Sequence, residues 1–120
     1  STHNYDVGAL YVEWGGPWRI IGPTEPGPQK WGTGGEIALW ESPDDGKTWK
    51  KIKQMTQGSP RNHSYVRRPV GARAEFYGIW ADGNADEFSE SFLYYCNRDG
   101  EVFRLPAVMD GATGKAERVK

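Results

Sequence analysis

Both histidines of the chain stand two residues before a tyrosine, in "HNYD" (His3, Tyr5) and "HSYVRRP" (His63, Tyr65). Two arginines, Arg67 and Arg68, follow the second pair. Imidazole exchanges protons near neutral pH, and a phenol donates, accepts or acts as a base where its pKa is lowered. Arginine presents a planar fork that grips a carboxylate at two points. Together these groups suit an acidic sugar, with an arginine on the carboxylate and His63, Tyr65, His3 and Tyr5 as catalytic candidates. Trp31, in the Gly/Pro-rich stretch "GPTEPGPQKWGTGG", offers a flat face for a sugar ring, and Lys30 beside it is a further substrate-binding candidate.

Each candidate has a plainer alternative. The histidines can bond backbone where a strand begins, and the tyrosines can be core aromatics. One arginine can turn into an interface toward Glu13 or Glu41, and Trp31 can pin its own loop. The triplet "NHS" at Asn62–Ser64 also fits an N-glycosylation acceptor.

The elements that must position these residues are short and β-rich. Runs of Tyr, Trp, Phe, Val and Ile are bounded throughout by Gly, Pro, Asp and Asn. They predict strands over 6–13, 18–21, 36–41 and 49–55, then over 64–69, 75–81, 91–96 and 102–105. No long segment keeps a 3.6-residue apolar period, so helix content should be low. The tail "MDGATGKAERVK" is polar and reads as loosely held.

The bulk numbers narrow the function. A chain of 120 residues is about one ordinary domain. Its 16 acidic and 15 basic residues nearly cancel, which gives no electrostatic reason to expect nucleic acid or an anionic membrane as partner. No apolar run approaches a membrane span, and no signal peptide is visible. The chain opens on Ser1 rather than Met, as a processed product or an excised fragment does. The single cysteine, Cys96, cannot form an internal disulfide, and in "SFLYYCN" it reads as a small buried hydrophobe rather than a nucleophile.

The two sets of strands look like copies of one unit. "LWESPDDGKTWKKI" lies over "LYYCNRDGEVFRLP" without a gap, which sets Gly46 on Gly100 and Trp49 on Phe103. The same shift sets Tyr11–Val12 on Tyr65–Val66. A four-stranded unit repeating at about fifty residues is what propeller blades look like in sequence. The expected architecture is therefore all-β: two four-stranded antiparallel β-propeller blades, part of a larger six- or seven-bladed propeller. The first blade spans 1–56, the second 57–108, and a polar tail 109–120.

Within the first unit, "SPDDGKTW" sits between two strands, where a hairpin needs Asp and Gly. Ser42, Asp44, Gly46, Thr48 and Trp49 fill every defined position of S-x-D-x-G-x-T-W, and Trp49 would fold over the turn. A calcium loop is the alternative, but the alternating acidic ligands and distal Glu of an EF-hand are missing, so no metal is expected. The octapeptide resembles the Asp-box of sialidase-like BNR-repeat propellers, in which the box ties together the last two strands of a blade, away from the active site. "CNRDGEVF" looks like a worn copy.

The resemblance extends through "HNYDVGALYV", "PTEPGPQ", "TGGEIALWESPDDGKTW", "NHSYVRRPV", "FYGIWADG" and "SESFLYYCNRDGEVFRLP". Read together, these look like the C-terminal end of large BNR-repeat proteins, similar to neuraminidases and to ulvan lyase and rhamnosyl-glucuronidase propellers. It implies a segment of a secreted or periplasmic carbohydrate-active enzyme that cleaves acidic glycans by hydrolysis or elimination, without a cofactor. The alternatives are a non-catalytic segment that binds glycan or protein, and a purely structural closing unit. Two blades cannot close a ring, so the remaining blades or self-association must cover their outer faces. The connections "WGGP", "PDDGK", "VGARA" and "NRDG" should be minimal and inert, and the long loops and the histidines should share the opposite, functional face.

Overall fold

The computed structural model describes residues 9–120, so His3 and Tyr5 lie outside the described residues. Those residues are all-β, with no helix. Strands β1 (Ala9–Val12), β2 (Trp18–Pro23), β3 (Ile37–Ser42) and β4 (Lys50–Gln54) form one antiparallel sheet in chain order. Strands β5 (Asn62–His63), β6 (Gly78–Gly83), β7 (Leu93–Cys96), β8 (Val102–Arg104) and β9 (Glu117–Val119) form the second, also in order. Consecutive strands pair with their neighbours, as short connections between β-rich runs require.

Alternation along the strands decides where the core lies. Ala9, Tyr11, Ile21, Ile37 and Leu39 project from one face of the first sheet. They meet Trp80, Tyr94, Cys96 and Val102 from the second in a single buried cluster, joined by Val66, Tyr77 and Met55. The opposite faces keep apolar rows of their own. Leu10, Ile20 and Trp40 are neighbours across the first sheet, and Ile79, Tyr95 and Phe103 across the second. Leu10, Val12, Ile52, Phe76 and Leu93 are exposed.

The seam between the sheets is closed by directed contacts. The Tyr11 ring stacks on Tyr77 at 3.8 Å between centroids, and its hydroxyl donates to the Tyr77 carbonyl. The Tyr77 hydroxyl donates to Glu13 Oε1 at 2.7 Å, and Arg98 grips the same carboxylate with two nitrogens, at 3.2 and 2.6 Å. Arg19 binds Glu41 and donates to the Arg98 carbonyl at 2.9 Å. The acids Glu13 and Glu41 are thus met by Arg98 and Arg19. Arg67 and Arg68, expected to supply one such partner, lie instead over the rings of Tyr65 and Tyr11.

The second sheet departs from the first in three ways. Its first strand begins earlier than the expected 64–69, at Asn62, and after His63 continues only through a bridge between Arg67 and Ile79. Pro69 lacks the N–H a ladder needs, which ends that strand. The connection to β6 then runs through 68–77 with a small bridge between Arg73 and Phe76, longer than the minimal "VGARA" turn expected. Last, the tail reaches back: Val119 pairs with Val102 and Glu117 with Arg104, adding a fifth strand where a loose end was expected. Val119 is the tail's one half-buried β-branched residue in that strand, and polar neighbours masked it.

The Glu13 clasp carries a pH signature. Hydrogen bonds from Arg98 and Tyr77 hold the Glu13 carboxyl at about 2, against an ordinary 4.5. A depressed carboxylate stabilises fully above its ordinary value and loses that contribution as pH falls through the folded one. Both side chains are partly exposed, so Glu13→Gln should cost about 1–2 kcal/mol at neutral pH. Urea unfolding should show the gap between wild type and variant closing as pH drops from 4.5 toward 2.

Candidate functional site

His63 is where the sequence placed a proton-transferring group, and the structure seals it. Its residue exposure is 1%. Trp80 Nε1, which can only donate, points at His63 Nδ1 from 3.1 Å, so Nδ1 is the acceptor and the neutral ring carries its proton on Nε2. That nitrogen lies 2.9 Å from Ser59 Oγ, which in turn donates to Glu36 Oε2 at 2.9 Å. Thr56 Oγ1 and the Ser59 N–H bind the same carboxylate at 2.5 and 2.7 Å. Burial pushes the imidazole below its ordinary pKa, with Glu36 and Asp82 pulling the other way. Burial also pushes Glu36 up, but the bonds from Thr56 and Ser59 outweigh it and leave the carboxyl below the usual range.

Asp82 forms the other wall of this network. One oxygen accepts from the Phe92 N–H at 2.7 Å, and the other from the Tyr94 hydroxyl at 2.9 Å and from Arg61 Nε at 3.3 Å. Burial and that bond push the Tyr94 phenol up to about 12. Among the described residues no buried side-chain polar atom lacks a partner. Such pairing is what burial of polar side chains requires.

The long Gly/Pro-rich segment is a strap, not a free loop. Residues 24–36 leave β2, cross to the second sheet and pair there, Gly34 exchanging both backbone bonds with His63 at 3.2 and 2.8 Å. Asn62 ties down its middle: Nδ2 donates to the Gln29 and Trp31 carbonyls at 2.9 and 2.7 Å, and Oδ1 accepts from the Gln29 N–H at 3.1 Å. Gly27 is required, because a Cβ there would fall 1.8 Å from Asn62 Oδ1. Asn62 is itself 1% exposed, so the "NHS" triplet presents no accessible amide for a glycan.

The other candidates divide by exposure. Arg67 stacks 4.7 Å above the Tyr65 ring and donates to its hydroxyl, while Arg68 lies 5.2 Å over Tyr11 and reaches the Leu10 carbonyl. Both guanidinium groups are exposed, and neither meets a carboxylate among the described residues. Trp31 stands on the strap, 56% exposed, with the Lys30 ammonium 5.1 Å from its ring. The structure therefore joins Tyr65 to Arg67, and Arg68 to Tyr11, while the His63 ring bonds Ser59 and Trp80. A shallow cavity of about 240 Å³ beside the strap is lined by Gly32, Asn62, Ser64, Asp82 and Asn84.

The octapeptide spends its polar groups on itself. Asp44 accepts from Ser42 Oγ and the Thr48 N–H at 2.8 Å each, and from Thr48 Oγ1 at 2.7 Å. Bonds from Thr48 keep its carboxyl below the usual range. Ser42 Oγ also accepts the Gly46 N–H at 2.8 Å, and Trp49 folds back to donate to the Gly46 carbonyl at 3.0 Å. Gly46 has φ +83°, and the Trp18 ring lies 3.0 Å from where a Cβ would stand. Gly100 has φ +73° in the corresponding turn of the second sheet. Cys96 is buried, and burial pushes its thiol up to about 12.

Sequence reasoning missed Glu36, Ser59, Trp80 and Asp82 as the groups around His63, and Asn62 as the anchor of the strap. Only Asn62 carried a local signal, and that signal pointed to glycosylation. Removing Asn62 should unfasten the strap. Asn62→Ala removes three bonds to the strap backbone and should cost about 2–4 kcal/mol. Limited proteolysis should then cut within 24–36 first, and urea unfolding gives the loss.

Compared with known proteins, the chain matches no family model, no curated protein and no solved structure.

Proposed function

We propose that the chain is a two-blade segment of a sialidase-like Asp-box propeller, secreted or periplasmic, that binds acidic glycans. The observation that carries the glycan reading is the exposed pair of guanidinium groups. Arg67 is held flat on Tyr65 and Arg68 on Tyr11, and neither has a carboxylate partner among the described residues. A guanidinium fixed by an aromatic ring loses less freedom when it grips a carboxylate. Trp31 adds a second exposed aromatic surface on the strap.

The blade reading rests on different support. Each sheet is a meander, the two pack face to face, and a self-bonded S-x-D-x-G-x-T-W hairpin joins β3 to β4. The outer apolar rows are what further blades of a six- or seven-bladed ring, or copies of this chain, would cover. Binding is preferred to catalysis because His63 is sealed and its neighbours are committed. If the complete propeller hydrolyses or eliminates, its acid and base come from elsewhere, and this segment supplies Arg67 and Arg68 to the substrate carboxylate.

Calorimetric titration tests the binding reading with a uronic-acid oligosaccharide, a sialylated trisaccharide and a neutral oligosaccharide of equal length. The charged sugars should bind, more weakly at high salt. The Arg67→Ala/Arg68→Ala double variant should lose about tenfold or more in affinity. Equal affinity for the neutral sugar, or an unaffected double variant, would remove the assignment.

A further inference from the structure

His63 is the buried titratable group that glycan binding leaves without a role, and it stands where separate pieces of chain meet. Its backbone bonds the strap at Gly34, its Nε2 reaches Ser59 in the link between the sheets, and its Nδ1 receives the indole N–H of Trp80 on β6. An indole nitrogen has no lone pair to offer. A proton added at Nδ1 therefore sets two N–H groups against each other at 3.1 Å, where His63 is 1% and Trp80 3% exposed. Neither can turn to water.

The charged and titratable groups around the ring do not relieve this conflict. Glu36, at the end of the strap, lies 3.9 Å from Nε2, on the side that already carries a proton. Asp82 on β6 pairs with His63 across the ladder, but its oxygens serve Phe92, Tyr94 and Arg61. Tyr94 on β7 stands edge-on to the imidazole at 5.3 Å. Arg61, just before β5, opposes a second cation nearby. Both carboxylates favour the charged ring in general, yet the nitrogen that gains the proton faces Trp80.

We infer that His63 is an acid-sensitive latch for the strap: protonation at Nδ1 breaks the Trp80 bond, loosens the two-way bridge to Gly34 and frees residues 24–36 from the second sheet. The sign follows from burial, which sets the folded imidazole below its ordinary 6.5. The latch is fully closed above that value and opens as pH falls below it. Released, the strap would carry Trp31 and Lys30 away from the second sheet and uncover Asn62.

Amide hydrogen exchange read by NMR, corrected for intrinsic rates, tests this on the intact chain. Between about pH 7.5 and about pH 5, protection of the Gly34 and His63 amides should fall by about tenfold or more, while Ile79, bonded to Arg67, holds. His63→Gln, which accepts and donates without titrating, should flatten that response. Trp80→Phe keeps the histidine but removes the opposing donor, so its drop should be clearly smaller than that of wild type. If Gly34 and Ile79 lose protection together, or Gly34 loses none, there is no latch. A Trp80→Phe drop equal to wild type likewise overturns the mechanism, and that comparison decides the matter if His63→Gln does not fold.

Discussion

Tyr11 lying flat on Tyr77 is the contact that fixes how the two sheets meet. An offset aromatic pair is worth only about 0.5–1.5 kcal/mol beyond its buried area, but its geometry is directional. Tyr11 comes from β1, at one edge of the first sheet, and Tyr77 immediately precedes β6 of the second. Because the Tyr11 hydroxyl is spent on the Tyr77 carbonyl, the ring can neither slide nor turn without losing a buried bond. That fixed offset places the Tyr77 hydroxyl on Glu13, and Glu13 in the fork of Arg98. It also leaves the upper face of Tyr11 to Arg68, so the same ring that sets the seam presents the exposed cation.

With the sheets aligned, the strap can cross the gap and reach the edge of β5. A short two-residue strand at a sheet edge is weakly held by its own ladder. Gly34 supplies the missing partner on the open side of His63, and Asn62 uses three side-chain bonds to keep the strap from lifting. The cost is a set of polar groups buried with no water to fall back on, and the network is tolerable only because every member is satisfied. His63 sits inside that network as its adaptor, one nitrogen accepting and the other donating. Its tautomer is set by Trp80.

Much of this was legible in the residues, and the parts that were not share a cause. The all-β class followed from β-branched and aromatic runs broken by turn residues, and β2, β3, β4, β7 and β8 fall close to the expected spans. The hairpin at Ser42–Trp49 was legible because each of its contacts is made within a few residues. The second sheet was harder. The gapless overlay of the two units aligned their last hairpins, but the inserted residues between Arg67 and Gly78 displaced the strand before them. The surroundings of His63 were not legible, because they come from Glu36, Ser59 and Trp80, which no spacing within "HSYVRRP" reveals. The course of the long Gly/Pro-rich segment was hidden for the same reason: a distant residue, Asn62, holds it.

The apolar rows on the outer faces connect these points. A sheet that buries only one face normally carries polar residues on the other. Here Leu10–Ile20–Trp40 and Ile79–Tyr95–Phe103 run across the outer faces, the latter ending against Arg118. Tyr95 stacks on Phe103 at 5.1 Å and Phe76 leans on Tyr95, so the outer row of the second sheet is packed and ordered, not merely greasy. Both sheets thus carry apolar side chains on both of their faces.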